Sequence, residues 1–233
     1  RYPDASYQEV TICKTPEELY ANVGLVLKVQ TPSAEEAAQL PEGSTLIGYL
    51  APHANDEVIK ILKDRNITSF AMELVPRITR AQSIDALSSQ ASAAGYKAVI
   101  MAANLSSRFF PMLTTAAGTI KPSKVLIIGA GVAGLQAIAT ARRLGAVVEA
   151  YDVRSATREE VESLGAKFVD TGVHADGAGG YARELTEEEK QQQQEVLEKH
   201  IIAADVVITT AAIPGRQAPQ IISKEVVEQM RPG

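Results

Sequence analysis

The stretch Lys124-Val-Leu-Ile-Ile-Gly129-Ala-Gly131-Val-Ala-Gly134-Leu, followed by Val147-Val-Glu-Ala-Tyr-Asp152, decides the fold of this chain. Its β-branched run predicts a buried parallel strand, and residues 132–144 predict the helix that follows. Gly129 permits a tight turn between the two, and Gly134 lets the helix pack closely on the strand. Strand, turn, helix and strand in this order predict a β–α–β unit of an open, doubly wound sheet.

The same unit predicts a dinucleotide site. Without a Cβ at Gly131, backbone amides can approach a pyrophosphate, and the helix N-terminus adds free N–H donors and partial positive charge. Asp152 ends the next apolar strand, 18 residues after Gly134, where a carboxylate can accept both hydroxyls of an adenosine ribose and repel a 2′-phosphate. The pattern therefore favours NAD(H) over NADP(H). Arg154 is the one feature that favours the opposite choice, since an arginine can pair with a 2′-phosphate.

Composition narrows the classes of protein. The chain of 233 residues has a formal net charge of −5, which provides no electrostatic footprint for nucleic acid or an anionic membrane. Its single cysteine, Cys13, excludes an internal disulfide, and no Cys/His cluster has zinc-ligand spacing, so no metal site is expected. The uncharged run Val125–Ala141 is explained as strand plus helix rather than a membrane span. The first residue is not methionine and Gly233 comes where another strand should begin, so we expect a fragment.

The remainder predicts two Rossmann-like, doubly wound parallel-sheet domains of an α/β protein, joined by long small-residue helices at about 80–110, with a cleft between them. Residues 1–120 would form the first domain and 121–233 the second, which binds the nucleotide. In the first, apolar runs predict strands, and capped amphipathic runs predict helices; these are Leu25–Val29, Thr45–Tyr49, Ser69–Met72, Ser33–Leu40 and Asp56–Asp64. Gly95 is expected to interrupt the linking helix.

The second domain is expected to continue as strand 147–153, helix 157–164, strand 166–169, helix 186–200 and strand 205–211. The glycine-rich insertion Asp170–Glu184 predicts a mobile loop.

A second segment, Glu73-Leu-Val-Pro-Arg77-Ile-Thr-Arg80-Ala-Gln82-Ser-Ile-Asp85-Ala-Leu-Ser88-Ser-Gln, follows a predicted strand at the edge where open α/β sheets bind ligands. Two cations, an amide, a carboxylate and hydroxyls are concentrated there. From residue types alone the segment is either a binding loop or an exposed loop before a helix capped by Thr79 or Ser83.

This segment closely resembles the signature loop of the NAD(H)-binding component of proton-translocating nicotinamide nucleotide transhydrogenases. Three further segments resemble that component in the same order, and the likeness spans essentially the whole chain; they are Gly129-Ala-Gly-Val-Ala-Gly-Leu-Gln-Ala, Gly179-Gly-Tyr181-Ala and Thr209-Thr-Ala-Ala-Ile-Pro-Gly215. The resemblance implies that several dozen residues precede Arg1 and that more follow Gly233.

The resemblance also implies site residues. Four residues would form the catalytic group around the nicotinamide, its ribose and the phosphates, namely Arg77, Gln82, Asp85 and Ser88. Gln82 would reach toward the second nucleotide. The turn Gly129, Ala130, Gly131, Val132 and Gly134 would cradle the pyrophosphate, and Asp152, Val153 and Arg154 would face the adenosine. Gly180 and Tyr181 would belong to a loop that closes over NAD(H). The backbone near Ala212 would border the nicotinamide, although a larger aliphatic residue is expected there.

The activity implied by the resemblance is direct hydride transfer from NADH to NADP⁺ held on a separate NADP(H)-binding component. Energy coupling would lie in a membrane-spanning proton-channel component. This chain would then be a peripheral part of a homodimer at the cytoplasmic or matrix face of an energy-transducing membrane, inactive without its partner, and it would bind no nucleic acid.

Two alternatives remain. Alanine dehydrogenases are related to this family and resemble one another in a Lys-Val-Lys-Glu-Pro segment followed by Leu-His, which supply a substrate lysine and an acid/base histidine. Here the corresponding stretches are Lys28-Val-Gln30-Thr-Pro32 and Leu50-Ala51-Pro-His53, so the second lysine and the histidine are missing from their positions. Oxidation of an amino acid needs a proton acceptor, whereas transfer between two nicotinamides needs none. The other alternative is a noncatalytic NAD(H)-sensing module.

Overall fold

The computed structural model describes residues 2–174, 185–211, 218 and 220–233. The chain divides into two compact units, Arg1–Leu87 and Ser88–Gly233. Residues 88–120, which were predicted to end the first domain, are grouped here with the second unit. The reason is that the long helix beginning at Ala86 packs on that unit, with Val99 buried in its main core.

The first unit is a three-stranded parallel sheet in the order β1-β2-β3. Its strands are β1 (Leu25–Lys28), β2 (Thr45–Gly48) and β3 (Thr68–Ala71), and its α-helices are α1 (Pro16–Tyr20), α2 (Ala34–Gln39) and α3 (Asp56–Asp64). The predicted strands and the helices α2 and α3 are confirmed to within a residue or two. Ser33 caps α2 as predicted, because its Oγ accepts from the Glu36 amide at 3.1 Å and the Glu36 carboxylate accepts from the Ser33 amide at 2.8 Å.

The second unit is a four-stranded parallel sheet in the order β8-β7-β6-β9. The central strand β6 (Lys124–Ile128) lies between β7 (Val147–Tyr151) and β9 (Val206–Thr209), and β8 (Lys167–Phe168) lies outside β7. In chain order this is 3-2-1-4, the arrangement of a doubly wound nucleotide-binding fold. Its helices are α4 (Ala86–Leu105), α5 (Val132–Arg143), α6 (Thr157–Ser163), α7 (Glu187–Ala203) and α8 (Lys224–Gln229).

Both faces of this second sheet are covered. Alternate side chains of β6 enter different cores, because successive residues of a strand point to opposite faces. Val125 and Ile127 pack in the core that includes Ile138 of α5. Leu126 and Ile128 pack in the core that includes Ile201 of α7. This two-sided burial explains why β6 is an unbroken apolar run and confirms the predicted fold class of an α/β protein with parallel sheets.

Two features differ from the expectations. A short antiparallel hairpin, β4 (Leu113–Thr115) with β5 (Gly118–Ile120), precedes β6 and was not predicted. The prediction that Gly95 interrupts the linking helix was wrong, because α4 is continuous through it. A Cβ at Gly95 would lie 2.1 Å from the carbonyl oxygen of Ala133 in α5. Glycine is therefore present so that two helices can cross closely, and its low helix propensity is outweighed.

Within the described residues of the chain, no helix combines the length and apolar character that crossing a bilayer requires.

We expect Gly95→Ala to destabilise the protein. Alanine favours an isolated helix over glycine by about 1 kcal/mol, but the new methyl would overlap the Ala133 carbonyl, and overpacking of this kind costs about 1–3 kcal/mol. Chemical denaturation measures the change. Gly24→Ala is the matched control, since no atom lies within 4 Å of a Cβ there. A Gly95→Ala midpoint at or above that of the wild type would contradict the close crossing.

Candidate functional site

The predicted nucleotide residues of the second unit meet at the carboxyl ends of three neighbouring strands. Gly129 follows β6, Asp152 follows β7 and Thr210 follows β9. The chain leaves the central strand β6 toward β7 and later returns on its other side to form β9, so this edge is the topological switch point of the sheet. Open α/β sheets bind ligands at this point.

The three glycines of the turn have different structural reasons. Gly129 has φ +98°, which favours glycine, and its amide donates to the Tyr151 carbonyl at 2.7 Å. A Cβ at Gly134 would lie 1.8 Å from the Gly129 carbonyl oxygen, so α5 can start here only if residue 134 has no side chain. At Gly131 a Cβ would meet no atom within 4 Å. Packing therefore explains Gly129 and Gly134, whereas the reason for Gly131 lies in the open space outside the turn.

The start of α5 leaves donors available. Gly131 is its N-cap and has no side chain to satisfy the first amides, and the first helical bond runs from the Leu135 amide to the Gly131 carbonyl at 2.8 Å. The amides of the first turn of a helix lack intrahelical partners, and the helix dipole makes this end positive. Val132 is partly exposed and Ala130 is buried. The turn can therefore present amide hydrogens to an anionic group.

Asp152 is the charged residue of this edge, and its side chain is only 8% exposed. Its Oδ2 accepts from the Ala130 amide at 2.8 Å and from Arg154 Nη2 at 2.9 Å. Its Oδ1 accepts from the Arg154 amide and from Arg154 Nε, both at 2.9 Å. Burial raises the pKa of Asp152, but the hydrogen bonds from Arg154 and Ala130 outweigh it and hold the pKa below its usual value. The carboxylate is therefore ionised at neutral pH.

These four donors use all the lone-pair positions that a carboxylate offers. Two of them, the amides of Ala130 and Arg154, are fixed by the backbone. The other two come from the Arg154 guanidinium, which is half-buried and can change rotamer. A pair of ligand hydroxyls can reach Asp152 only by taking the place of this guanidinium. Val153, between the two charged residues, is also half-buried.

The predicted catalytic group lies on a separate stretch of chain. A 3₁₀-helix covers Thr79–Ile84, begins after Ile78 and has no side-chain cap, so the predicted capping role of Thr79 or Ser83 is absent from this segment. Gln82 is exposed within it, and Arg77 is exposed just before it. Asp85 ends the 3₁₀-helix, and Ser88 lies in the first turn of α4; both are half-buried. The local backbone thus brings the polar residues of this segment onto two consecutive turns.

Sequence reasoning missed Glu73, which directly follows the 3₁₀ residue Met72 at the end of β3. Its Oε1 accepts from the Leu50 amide at 2.9 Å and from the Ala51 amide. Ala51 has φ +44°, a strained conformation for alanine that these bonds support. Among the described residues, Glu73 Oε2 is buried and has no hydrogen-bond partner. The signal that could have identified Glu73 was an acid placed immediately after a predicted parallel strand.

Three predicted site residues, Gly180, Tyr181 and Ala212, lie outside the described residues. His53, the displaced histidine of the dehydrogenase alternative, is exposed. No group of His, Cys, Asp and Glu side chains in the described ranges could hold a metal ion.

Comparisons with known proteins agree with this geometry. The family model described as alanine dehydrogenase/PNT, N-terminal domain matches residues 1–94, and the one described as alanine dehydrogenase/PNT, C-terminal domain matches residues 98–233. The first of the two chains of NAD(P) transhydrogenase subunit alpha from Rhodospirillum rubrum is 50% identical over 232 residues, which are 96% of this chain and 60% of the relative. The protein of the same description from Rickettsia prowazekii (strain Madrid E) is 47% identical over 228 residues, covering 95% of this chain and 60% of the relative.

Among solved structures, a transhydrogenase from Sinorhizobium meliloti has a TM-score of 0.79 at 46% identity, covering 94% of this chain and 59% of that one. The chain thus spans about three fifths of the length of these relatives. Because one family model covers more than half of the chain and the other nearly all of the rest, the chain belongs to the alanine dehydrogenase/PNT family.

Proposed function

We propose that this chain is the NAD(H)-binding component of a proton-translocating transhydrogenase. Hydride would pass directly between NADH on this chain and NADP⁺ on a separate component. The observation that carries the nucleotide assignment is the hydrogen bond between the Ala130 amide and the buried Asp152 carboxylate, which joins the phosphate turn to the ribose acceptor. Support for the reaction comes from the identity to transhydrogenase subunits.

Adenosine binding would begin with an exchange at Asp152. The ribose hydroxyls would replace Nε and Nη2 of Arg154 as donors, while the Ala130 and Arg154 amides keep the carboxylate in place. A 2′-phosphate would instead place negative charge against an ionised carboxylate. The displaced guanidinium would compensate some of that repulsion. The site would therefore prefer NAD(H), with Arg154 reducing the preference.

At the nicotinamide end the protein would position and shield the reacting atoms. Hydride transfer between two nicotinamide C4 atoms requires no protein acid or base, only close approach to about 3–3.5 Å and exclusion of water. Arg77, Asp85 and Ser88 would hold the ring, its ribose and the phosphates. Gln82, exposed on the 3₁₀-helix, would bridge to the second nucleotide. Gly180, Tyr181 and Ala212 would complete the enclosure of NAD(H).

The partners follow from this reaction. We propose an NADP(H)-binding component that docks against this chain, a membrane-spanning component that conducts protons, and a second copy of this chain that forms a homodimer. The assembly would lie at an energy-transducing membrane, with this component on its cytoplasmic or matrix face.

The alanine dehydrogenase alternative has one observation in its favour, a 28% identity to the alanine dehydrogenase of Mycobacterium tuberculosis (strain ATCC 25618 / H37Rv). The residues argue against it. Gln30 replaces the expected second lysine, and Ala51 replaces the expected histidine. Lys28 is engaged with Glu36 at 2.9 Å. No acid/base group stands at these positions, where amino-acid oxidation would need one.

The test of the proposed function is a reconstitution. The purified protein is mixed with the NADP(H)-binding component of a bacterial transhydrogenase, and reduction of an NAD⁺ analogue by NADPH is followed by absorbance. We expect turnover in the mixture and none with either component alone. Tight NADH binding without turnover would instead indicate the sensing module. Reduction of NAD⁺ by L-alanine with this protein alone would indicate the dehydrogenase.

We expect Asp152→Asn to weaken NADH binding about 10- to 100-fold, because hydrogen bonds to a charged acceptor contribute about 1.5–3 kcal/mol. NADPH binding should change less or improve, since the repelling charge is gone. Fluorescence titration with both nucleotides gives the ratio. Asp170→Asn is the matched control, because Asp170 also pairs with an arginine, Arg158, after the neighbouring strand β8. An unchanged NADH/NADPH ratio in Asp152→Asn would refute the ribose role.

Gln82→Asn should slow hydride transfer in the reconstituted system about 10- to 100-fold, because a misplacement of about 1 Å can cost that much in rate. NADH affinity should stay within about threefold of the wild type, a free-energy change well below 1 kcal/mol. Stopped-flow kinetics and NADH titration separate the two quantities. Gln90→Asn on the exposed surface of α4 is the control. A fall in NADH affinity that matches the fall in rate would show that Gln82 does not act as a bridge.

A further inference from the structure

Thr210 is the residue of the switch point to which no sequence motif assigned a role. It follows β9 directly and is half-buried. Its amide donates to the Ile128 carbonyl at 2.7 Å, which closes the ladder between β9 and β6. Its hydroxyl Oγ1 lies 2.9 Å from the Gly129 carbonyl oxygen and 3.4 Å from that of Ile128. A hydroxyl has a single proton to donate, and the shorter contact identifies Gly129 as its acceptor.

This hydrogen bond fixes a carbonyl that has left the regular sheet. The Gly129 amide donates to Tyr151 of β7, whereas the Gly129 carbonyl accepts from Thr210 beyond β9, on the other side of β6. In a regular parallel strand the amide and the carbonyl of one residue face the same neighbouring strand. The positive φ of Gly129, +98°, accounts for the change of direction. Because the ladder does not pair this carbonyl with β9, the Thr210 side chain supplies the bond.

The Gly129 carbonyl and the Ala130 amide are the two ends of one planar peptide unit. The oxygen end accepts from Thr210 Oγ1 at 2.9 Å, and the nitrogen end donates to Asp152 Oδ2 at 2.8 Å. Hydrogen bonds aligned through one peptide polarise and strengthen each other. One rigid plane is therefore held between β9 and the residue that follows β7.

The same hydroxyl also lies against the start of α5. A Cβ at Gly129 would lie 2.9 Å from Thr210 Oγ1, and a Cβ at Gly134 would lie 3.0 Å from it. The side chain of residue 210 thus fills the space that the two glycines leave open. A residue of similar size without the hydroxyl would keep this packing and lose only the hydrogen bond, which makes an isosteric test possible.

We propose that Thr210 is a positioning residue of the nucleotide site, which sets the Gly129–Ala130 peptide and, through it, the direction of the Asp152 carboxylate. The proposal rests on the proposed NAD(H) site. It assigns Thr210 no contact with the nucleotide. Its effect is to hold the phosphate turn and the ribose acceptor in one fixed relation.

The first experiment needs no nucleotide. Amide hydrogen exchange at Ala130, measured by NMR on the whole protein, should be about five- to tenfold faster in Thr210→Val, as expected for loss of one supporting hydrogen bond. Thr210→Ser, which keeps the hydroxyl, should restore the wild-type rate. Thr209→Val is the matched control, because Thr209 is exposed at the end of β9. Unchanged Ala130 exchange in Thr210→Val would overturn the proposal.

The second experiment is a double-mutant cycle with Asp152→Asn, read as the NADH dissociation constant. Thr210→Val should weaken NADH binding about five- to tenfold in the wild-type background. In the Asp152→Asn background the same substitution should have an effect of about twofold or less, because contacting groups are not additive. Equal effects in both backgrounds, or a Thr210→Ser variant as weak as Thr210→Val, would overturn the proposal. Thr210→Ala replaces Thr210→Val if the valine variant does not fold.

The two experiments separate the two ideas. If the wild-type protein fails to bind NADH, the proposed function is refuted, and the exchange measurement still decides whether Thr210 orients the Gly129–Ala130 peptide. If NADH binds and the cycle is additive, the positioning role is refuted and the proposed function stands.

Discussion

The peptide unit between Gly129 and Ala130 is the constraint on which the second unit's ligand edge depends. Its oxygen lies where a Cβ on residue 134 would have to be, so α5 can begin there only over a glycine. Its orientation requires the positive φ of residue 129. Its nitrogen donates to the carboxylate that follows β7, and its oxygen accepts from the hydroxyl that follows β9. Three strand ends and one helix start therefore share a single rigid plane.

This arrangement makes the choice of nucleotide a competition inside the protein. The Asp152 carboxylate is buried, ionised and fully bonded, and half of its donors belong to the Arg154 guanidinium. A bound ribose diol would replace charge-assisted bonds with bonds from neutral hydroxyls, so its net gain is smaller than a count of contacts suggests. The guanidinium also keeps a buried carboxylate compensated before a ligand arrives, which would otherwise be costly. Affinity and the stability of the empty site are thus set by the same ion pair.

The sequence predicted the fold well where local rules and tertiary packing agree. The strand–turn–helix around Gly129 and the capped helix after Ser33 lie within a residue of their predicted bounds. The error at Gly95 has a physical cause, because the need for glycine there comes from a helix distant in sequence. Thr210 and Glu73 were missed for a related reason. A threonine after a strand, or an acid after a strand, acquires its role only when a carbonyl or amide from another segment is brought to it.

The two ends of the proposed site are built differently, and the reaction explains why this is useful. The adenosine end stands on strand termini whose side chains enter packed cores, so it can hold a ligand in one place. The segment from Arg77 to Ser88 is a 3₁₀ turn leading into a helix, with Gln82 and Arg77 exposed. Short 3₁₀ segments have poorer hydrogen-bond geometry than α-helices and adjust more easily. Hydride transfer to a nucleotide on another protein needs a rigid hold at one end and an accessible, adjustable surface at the other, because the final approach of the two rings is completed only when the partner docks.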